Sequence, residues 1–267
     1  EDLKIDYSIL DQHSESYRKI RNTFRYLLGN INDNFESIDF KNIDIKRFPE
    51  LERFMLHKLY LLDKNFKNYF RKYDFHNLYK ELLNFCTVDL SAFYFDIRKD
   101  CLYCDPQNSE KRKSVLLILK IILDSLLKWF APILSFTTEE IFRLISSNKK
   151  SIHLERFLEF PEEIQDEELN KKWSELIKIR DICNLSIEQK RVEKKIGSSL
   201  EASLKIRLDT KNLELTKNID FSELCITSSA IIEKNNKPEI EVETLKAEGD
   251  KCPVCWKISS QPCERHS

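Results

Sequence analysis

Two stretches of the chain hold residues whose types and spacing suit chemistry. The first reads Cys252-Pro-Val-Cys255-Trp256, followed by Cys263-Glu-Arg-His266. Two ligands separated by two residues form a knuckle that grips one side of a tetrahedral ion, and a second pair at the same spacing closes the other side. Four thiolate or imidazole ligands leave no open position, so the pattern predicts structural Zn2+ and not a catalytic metal. So short a tail has almost no core, and coordination would supply most of its folding free energy. The competing reading is a disordered tail with incidental cysteines. Cys252, Cys255 and Cys263 are the firmer ligands. His266 is followed only by Ser267, and water could take its place.

The second stretch runs from Tyr17 to Ile31. At helical period Tyr17, Ile20, Phe24, Leu27 and Ile31 share one face, which predicts a buried stripe. One step round, Arg18, Arg21 and Arg25 form a second stripe, with Asn22 beside it. Glu15 precedes it and Asp33 follows it, both too far along the axis to neutralise its middle. Two readings stay open: a solvated basic face, or a ledge for a phosphate backbone, since the guanidinium fork matches phosphate geometry. Gly29 is the expected C-terminal stop of this helix.

The elements that carry these residues follow from composition and period. Of 267 residues, 41% are hydrophobic and 33% charged, as in a soluble globular protein long enough for more than one domain. Three glycines and seven prolines favour long helices over tight turns. A net charge of −1 provides no global field for a polyanion, so such binding has to come from local basic stripes. No apolar run reaches membrane-span length; the longest, Val115 to Leu127, is broken by Lys120 and Asp124. Eight cysteines, four of them in two C-x-x-C pairs, point to a reducing compartment, the cytoplasm, with thiols or metal. The start at Glu1 lacks signal-peptide character and suggests a piece of a longer chain.

Along the chain, 7–29 reads as a helix and a polar loop follows to about Arg47. Leu51, Met55, Leu59, Leu62, Phe66, Tyr69 and Tyr73 mark a second helix. Asp74 is a candidate N-cap for a third, with Phe75, Leu78, Leu82, Phe85, Val88, Ala92 and Phe95 buried. Ser109 starts a fourth helix, buried on more than one side, that Ala131-Pro132 stops; Trp129 and Phe130 belong to its core face. Thr137-Thr-Glu-Glu140 is a candidate capping box for a short fifth helix. Five such helices make a bundle over 1–160. A long helix over Glu167–Lys195 and a small α+β part complete 161–247, with strands at Ala202–Leu208, Leu224–Thr227, Ala230–Ile232 and Glu239–Leu245, and a short helix at Lys211–Asn218. Residues 248–267 form the metal-binding tail. The fold class is mainly α: a helical bundle, a small α+β domain and a zinc knuckle. Cys101-Leu-Tyr-Cys104 follows the third helix and has no ligand partner nearby in sequence, so it reads as a fortuitous reduced pair.

The run YRKIRNTFRYLLGNIND resembles the opening of the anticodon-binding helical domain of bacterial isoleucyl-tRNA synthetases. Tyr73-Asp-Phe-His76, Phe85-Cys-Thr-Val-Asp89, Phe93 to Asp100, Lys128 to Ile141, Lys194 to Ala202 and Glu248 to Trp256 continue the likeness in order over nearly the whole chain. The early landmarks are shared with sister synthetases, whereas Cys-Pro-x-Cys-Trp after Ala-Glu-Gly is more particular. The resemblance implies a class I synthetase anticodon-binding domain that grips the anticodon arm of isoleucine tRNA as part of a monomeric parent enzyme. It also implies a Cys in the position of His266 and a longer insert before Cys263, from both of which this chain departs.

RNA is read through splayed bases stacked on aromatic or guanidinium planes. The candidates here are Arg18, Arg21 and Arg25, then Lys190, Arg191, Lys194 and Lys195 leading into Gly197, and Trp256 beside the knuckle. Glu188 and Glu193 leave open a mixed solvated face for the lysine cluster, and Trp256 could instead pack over the metal. Catalytic residues are not expected. The His-x-Gly-His and Lys-Met-Ser-Lys-Ser motifs of the family's ATP-using core are absent from this stretch, as is any glycine-rich phosphate loop. The alternatives are the same region of a valyl, leucyl or methionyl enzyme, or a non-catalytic helical interaction protein with structural zinc.

Overall fold

Leu51, Met55, Leu59, Leu62 and Phe66 recur at helical spacing and are all buried, which makes Glu50–Arg71 (α2) a wall of the core. The computed structural model describes residues 6–31, 38–146 and 151–266. It divides the chain into two compact units, one of Glu1–Leu102 with Pro106–Asp166 and one of Tyr103–Asp105 with Glu167–Ser267. Asp33 lies outside the described residues.

In the first unit, α1 (Tyr7–Asn30) buries Ile20, Phe24 and Leu27 as its period demands. Gly29 is not its stop: the helix runs to Asn30 and Ile31 caps it in extended conformation, donating its N–H to Leu27. The described part of the next loop holds two short turns, Phe40–Asn42 and Ile45–Arg47, capped by Asp39 and Asp44. Tyr73 does not extend the buried face of α2. The helix ends at Arg71, and Tyr73 is 81% exposed at a φ of 57°, in the left-handed region.

Asp74 caps α3 (Phe75–Asn84) as expected, accepting from the Asn77 N–H. Phe75, expected on the buried face, is exposed at the helix start, and the stripe fails again at the exposed Val88 and Ala92, while Leu90, Phe93 and Tyr94 turn inward. The cause is a π-helical stretch, Phe85–Phe95, whose i→i+5 bonds widen each turn and rotate the apolar face. The helix continues beyond it as α4 (Asp96–Cys104), so Cys101 and Cys104 lie on a helix and not after one.

Ser109 caps α5 (Glu110–Phe130), which is buried on every side from Ile121 onward, with Trp129 packed against Phe66 at 5.9 Å between ring centroids. α6 (Ser135–Ile145) starts two residues before the expected box. Thr137 and Thr138 lie inside its first turn, Thr138 bonding back to the Leu134 carbonyl, and Glu139 instead accepts from Ser151 and Ile152. Inside this unit the Glu52 carboxylate takes two bonds from Arg98, both 2.7 Å, and a third of 3.1 Å from the Tyr94 hydroxyl.

In the second unit, α7 (Glu167–Val192) packs Leu176, Ile179, Cys183 and Ile187 inward and lies on the sheet. The strands β1 (Ala202–Leu208), β2 (Ser229–Lys234) and β3 (Glu241–Lys246) pair in the order β2-β1-β3, parallel and then antiparallel. Ala202, Leu204, Ile206 and Leu208 point inward, alternating with half-exposed Ser203, Lys205 and Arg207. α8 (Thr210–Leu215) falls in the predicted helical stretch. Leu224–Thr227 is not a strand. Asp220 accepts from Ser222 and Glu223, turning Phe221–Leu224 into a helical turn (α9) that buries Leu224 and Cys225. Among the described residues no helix is long and apolar enough to cross a membrane.

Removing one partner of a buried, hydrogen-bonded pair leaves the other charge uncompensated. Glu52→Ala is therefore expected to destabilise the protein by about 3–5 kcal/mol in urea unfolding followed by circular dichroism. A loss below about 1 kcal/mol would show that the bundle does not depend on the pair.

Candidate metal centre and nucleic-acid interface

The knuckle is carried by a two-stranded hairpin, β4 (Asp250–Lys251) and β5 (Ile258–Ser259), in which Asp250 pairs with Ser259 and Lys251 with Ile258. Within it the Cys252 N–H bonds to the Lys257 carbonyl at 2.9 Å and the Trp256 N–H to the Cys252 carbonyl at 3.0 Å. Gly249 permits this closure: its φ is 115°, and a Cβ there would meet the Ser259 carbonyl oxygen at 2.1 Å. Trp256 takes a φ of 63° to complete the turn. The Ile258 N–H donates to the Ser228 hydroxyl at 2.7 Å, anchoring the hairpin on its own unit.

The structure brings the four predicted ligands together. One donor atom each from Cys252, Cys255, Cys263 and His266 lies within 4.8 Å of the others. Cys255 Sγ and Cys263 Sγ are 3.8 Å apart, and His266 Nδ1 is 3.5 Å from Cys252 Sγ and 3.3 Å from Cys263 Sγ. Zinc–sulfur bonds of about 2.3 Å and a zinc–nitrogen bond of about 2.0 Å at tetrahedral angles require edges of about 3.8 and 3.5 Å. The observed edges fit such an ion, so this Cys3His group could hold a metal. The backbone N–H groups of Cys255 and Val254 lower the Cys252 thiol to about 6, which favours the thiolate a metal needs. Burial pushes Cys255 up to about 11, so a metal would have to displace its proton. The Cys104 carbonyl, by accepting from His266 Nε2, raises that imidazole above its usual value.

Three contacts around this group had no signal in the sequence, because they join positions about 160 residues apart. His266 Nε2 lies 3.0 Å from the Cys104 carbonyl, Arg265 pairs with Asp105, and the Cys104 thiol lies 3.7 Å from the Val254 carbonyl. The Cys101/Cys104 pair itself is not part of the metal-capable group found among the described residues.

The basic candidates separate. Arg18 is paired with Glu15, Nε to Oε2 at 3.0 Å, so the acidic neighbour does reach the first member of the stripe. Arg21 Nη1 donates to the Tyr17 hydroxyl at 3.2 Å, and that hydroxyl lies 2.9 Å from Thr137 Oγ1. Thr137 and Arg21 together hold the Tyr17 phenol below its ordinary value. Arg25 is exposed and has no ion-pair partner among the described residues. In the second unit Arg191 pairs with Glu188 at 2.6 Å, and Glu193 takes Lys195 at 2.8 Å and Lys190 at 3.5 Å. Lys194 remains exposed at a φ of 55°. Trp256 is 58% exposed, with Lys251 Nζ 5.1 Å from its ring centroid.

Residues 52–206 match the family of anticodon-binding domains of tRNA ligases, over half of the chain, and the chain belongs to that family. It is similar along its full length to the isoleucine–tRNA ligase of Pelagibacter ubique, at 70% identity over 267 residues, which is 30% of that protein. The isoleucine–tRNA ligases of Agrobacterium fabrum and Bartonella henselae are 38% and 37% identical over 97% of this chain, 28% and 27% of theirs. The chain thus spans at most 30% of the length of these curated relatives.

Cys255→Ala should abolish metal retention, read by metal analysis of the purified protein, and melt the hairpin while leaving the helical far-UV signal nearly intact. A collapse of the helical signal would show that the metal tail is not an independent element.

Proposed function

We propose that the chain is the C-terminal tRNA-binding part of an isoleucine–tRNA ligase and grips the anticodon arm of isoleucine tRNA. The observation that carries this reading is the 70% identity along all 267 residues to a ligase of that name. The shared name of the relatives favours it over a valyl, leucyl or methionyl enzyme, and membership of an anticodon-binding family over a stand-alone interaction protein. The parent would attach isoleucine to its tRNA with ATP in a core outside this stretch, in the cytoplasm and as a monomer. This part would position the tRNA and check its anticodon.

Arg21 is the best-placed phosphate contact, because Tyr17 and Thr137 hold its guanidinium in place before RNA arrives. Arg25 and Lys194, which have no ion-pair partner among the described residues, add further charge, and Arg18 a charge already shared with Glu15. Lys190, Arg191 and Lys195 must each exchange a carboxylate for a phosphate, which reduces their net contribution. The exposed indole of Trp256 offers a stacking platform. The Cys3His group would hold structural zinc, which when bound supplies the folding energy of the tail. We place its boundary at 248–267, after an α+β part at 161–247 and a bundle at 1–160.

Titration with isoleucine tRNA, and with a copy altered only in the anticodon, at two salt concentrations tests this reading. Tighter binding of the native anticodon is expected; equal, strongly salt-dependent binding would reduce the interface to a basic ledge. Arg21→Ala should weaken binding and lower the salt slope by about one. Trp256→Ala should cost about 1–3 kcal/mol with little change in that slope.

A further inference from the structure

We infer that Asp105, Arg265 and the backbone carbonyl of Cys104 position His266 so that its Nδ1 completes the metal centre. The inference rests on the reading of the Cys3His group as a metal site and goes beyond it, since it assigns the atom that binds and the groups that aim it.

A thiolate has one donor atom and needs no orientation beyond its rotamer. An imidazole has two nitrogens, and a metal takes only the one that lacks a proton, so something must fix the tautomer and the ring plane. Ligating histidines characteristically donate their other N–H to a carbonyl or carboxylate. Here Nε2 lies 3.0 Å from the Cys104 carbonyl, an acceptor only, so Nε2 carries the proton. The lone pair is left on Nδ1, which is the nitrogen 3.3 and 3.5 Å from the two sulfurs.

The arm that carries His266 needs this support. Cys252 and Cys255 are held by the paired hairpin, whereas 260–266 contains no strand or helix, and its local bonds run from the His266 N–H to the Cys263 carbonyl at 3.0 Å and from the Gln261 N–H to the Ser259 hydroxyl at 3.1 Å. Arg265 reaches Asp105 while His266 reaches Cys104, so two consecutive residues of the arm meet two consecutive residues of the Tyr103–Asp105 segment of the same unit. The Asp105 carboxylate is largely shielded, its side chain only 14% exposed, which makes its pairing with Arg265 less screened than a surface ion pair. Removing the carboxylate takes away the ion pair that ties Arg265, the residue next to His266, to the Tyr103–Asp105 segment.

Cobalt in place of zinc reports both affinity and ligand set. Wild-type protein is expected to bind it tetrahedrally, with the visible bands of a three-sulfur, one-nitrogen site. Asp105→Asn and Arg265→Ala should each weaken binding about 10–100-fold and shift those bands as water replaces nitrogen. In a His266→Cys background, where no ring needs aiming, Asp105→Asn should lose most of its effect, which separates positioning from a general structural role. Nitrogen-15 shifts of the zinc-loaded protein should show His266 with Nε2 protonated and Nδ1 bound. Asp105→Asn matching wild type in affinity and spectrum, or the opposite tautomer, overturns the inference while the metal site stands. Wild-type protein that takes up neither cobalt nor zinc overturns the metal reading itself.

Discussion

Inside the first unit a carboxylate and a guanidinium meet where burying either one alone would be costly. Glu52 and Arg98 are both almost wholly buried, and their two parallel bonds and the Tyr94 hydroxyl satisfy the carboxylate. Burial pushes the Tyr94 hydroxyl well above its ordinary range, so it remains a donor to the carboxylate at any working pH. The pair fixes α2 against the helix that follows the π stretch, and the π stretch in turn makes the pair possible. Without its wider turns the α-helical phase set by Leu78 and Leu82 would carry Val88 and Ala92 inward and displace Tyr94 and Arg98 from the carboxylate. A local irregularity of the backbone therefore determines which residues the core receives.

Much of this architecture was legible in the sequence because it depends on short-range chemistry. The period of α1 and α2, the caps at Asp74 and Ser109, and the burial of Trp129 all follow from residues within one or two turns. The failures share a cause, which is competition from distant partners or from an alternative local bond. Leu224–Thr227 alternates like a strand, but Asp220 captures the backbone first. Thr137 and Glu140 have the spacing of a cap, yet Tyr17 takes the Thr137 hydroxyl and the helix begins earlier. The π stretch leaves no mark in residue type that separates it from an ordinary helix.

The candidate sites differ in the same way. The four residues of the metal-capable group could be named from spacing alone, since a tetrahedral site needs its donors close together on a short segment. The basic residues could be named but not ranked. Only coordinates show that Arg21 is held by a tyrosine, that three members of the lysine cluster share two glutamates, and that the indole of Trp256 faces outward. Charge content is a property of sequence, whereas charge available to a ligand is a property of packing.

The outward face of the three-stranded sheet bears on that availability. Lys205 and Arg207 of β1 stand in register with Glu233, Glu241 and Glu243 of the flanking strands, and every one of these charges is engaged within the face. Lys237 also reaches Glu241, so three carboxylates are matched by three cations and the cluster is neutralised internally. A polyanion diffusing toward this unit gains little attraction from these cations, because each is already shared with a carboxylate. Pairing within the sheet thus leaves these cations little charge to offer a ligand, although the sequence counts them as basic.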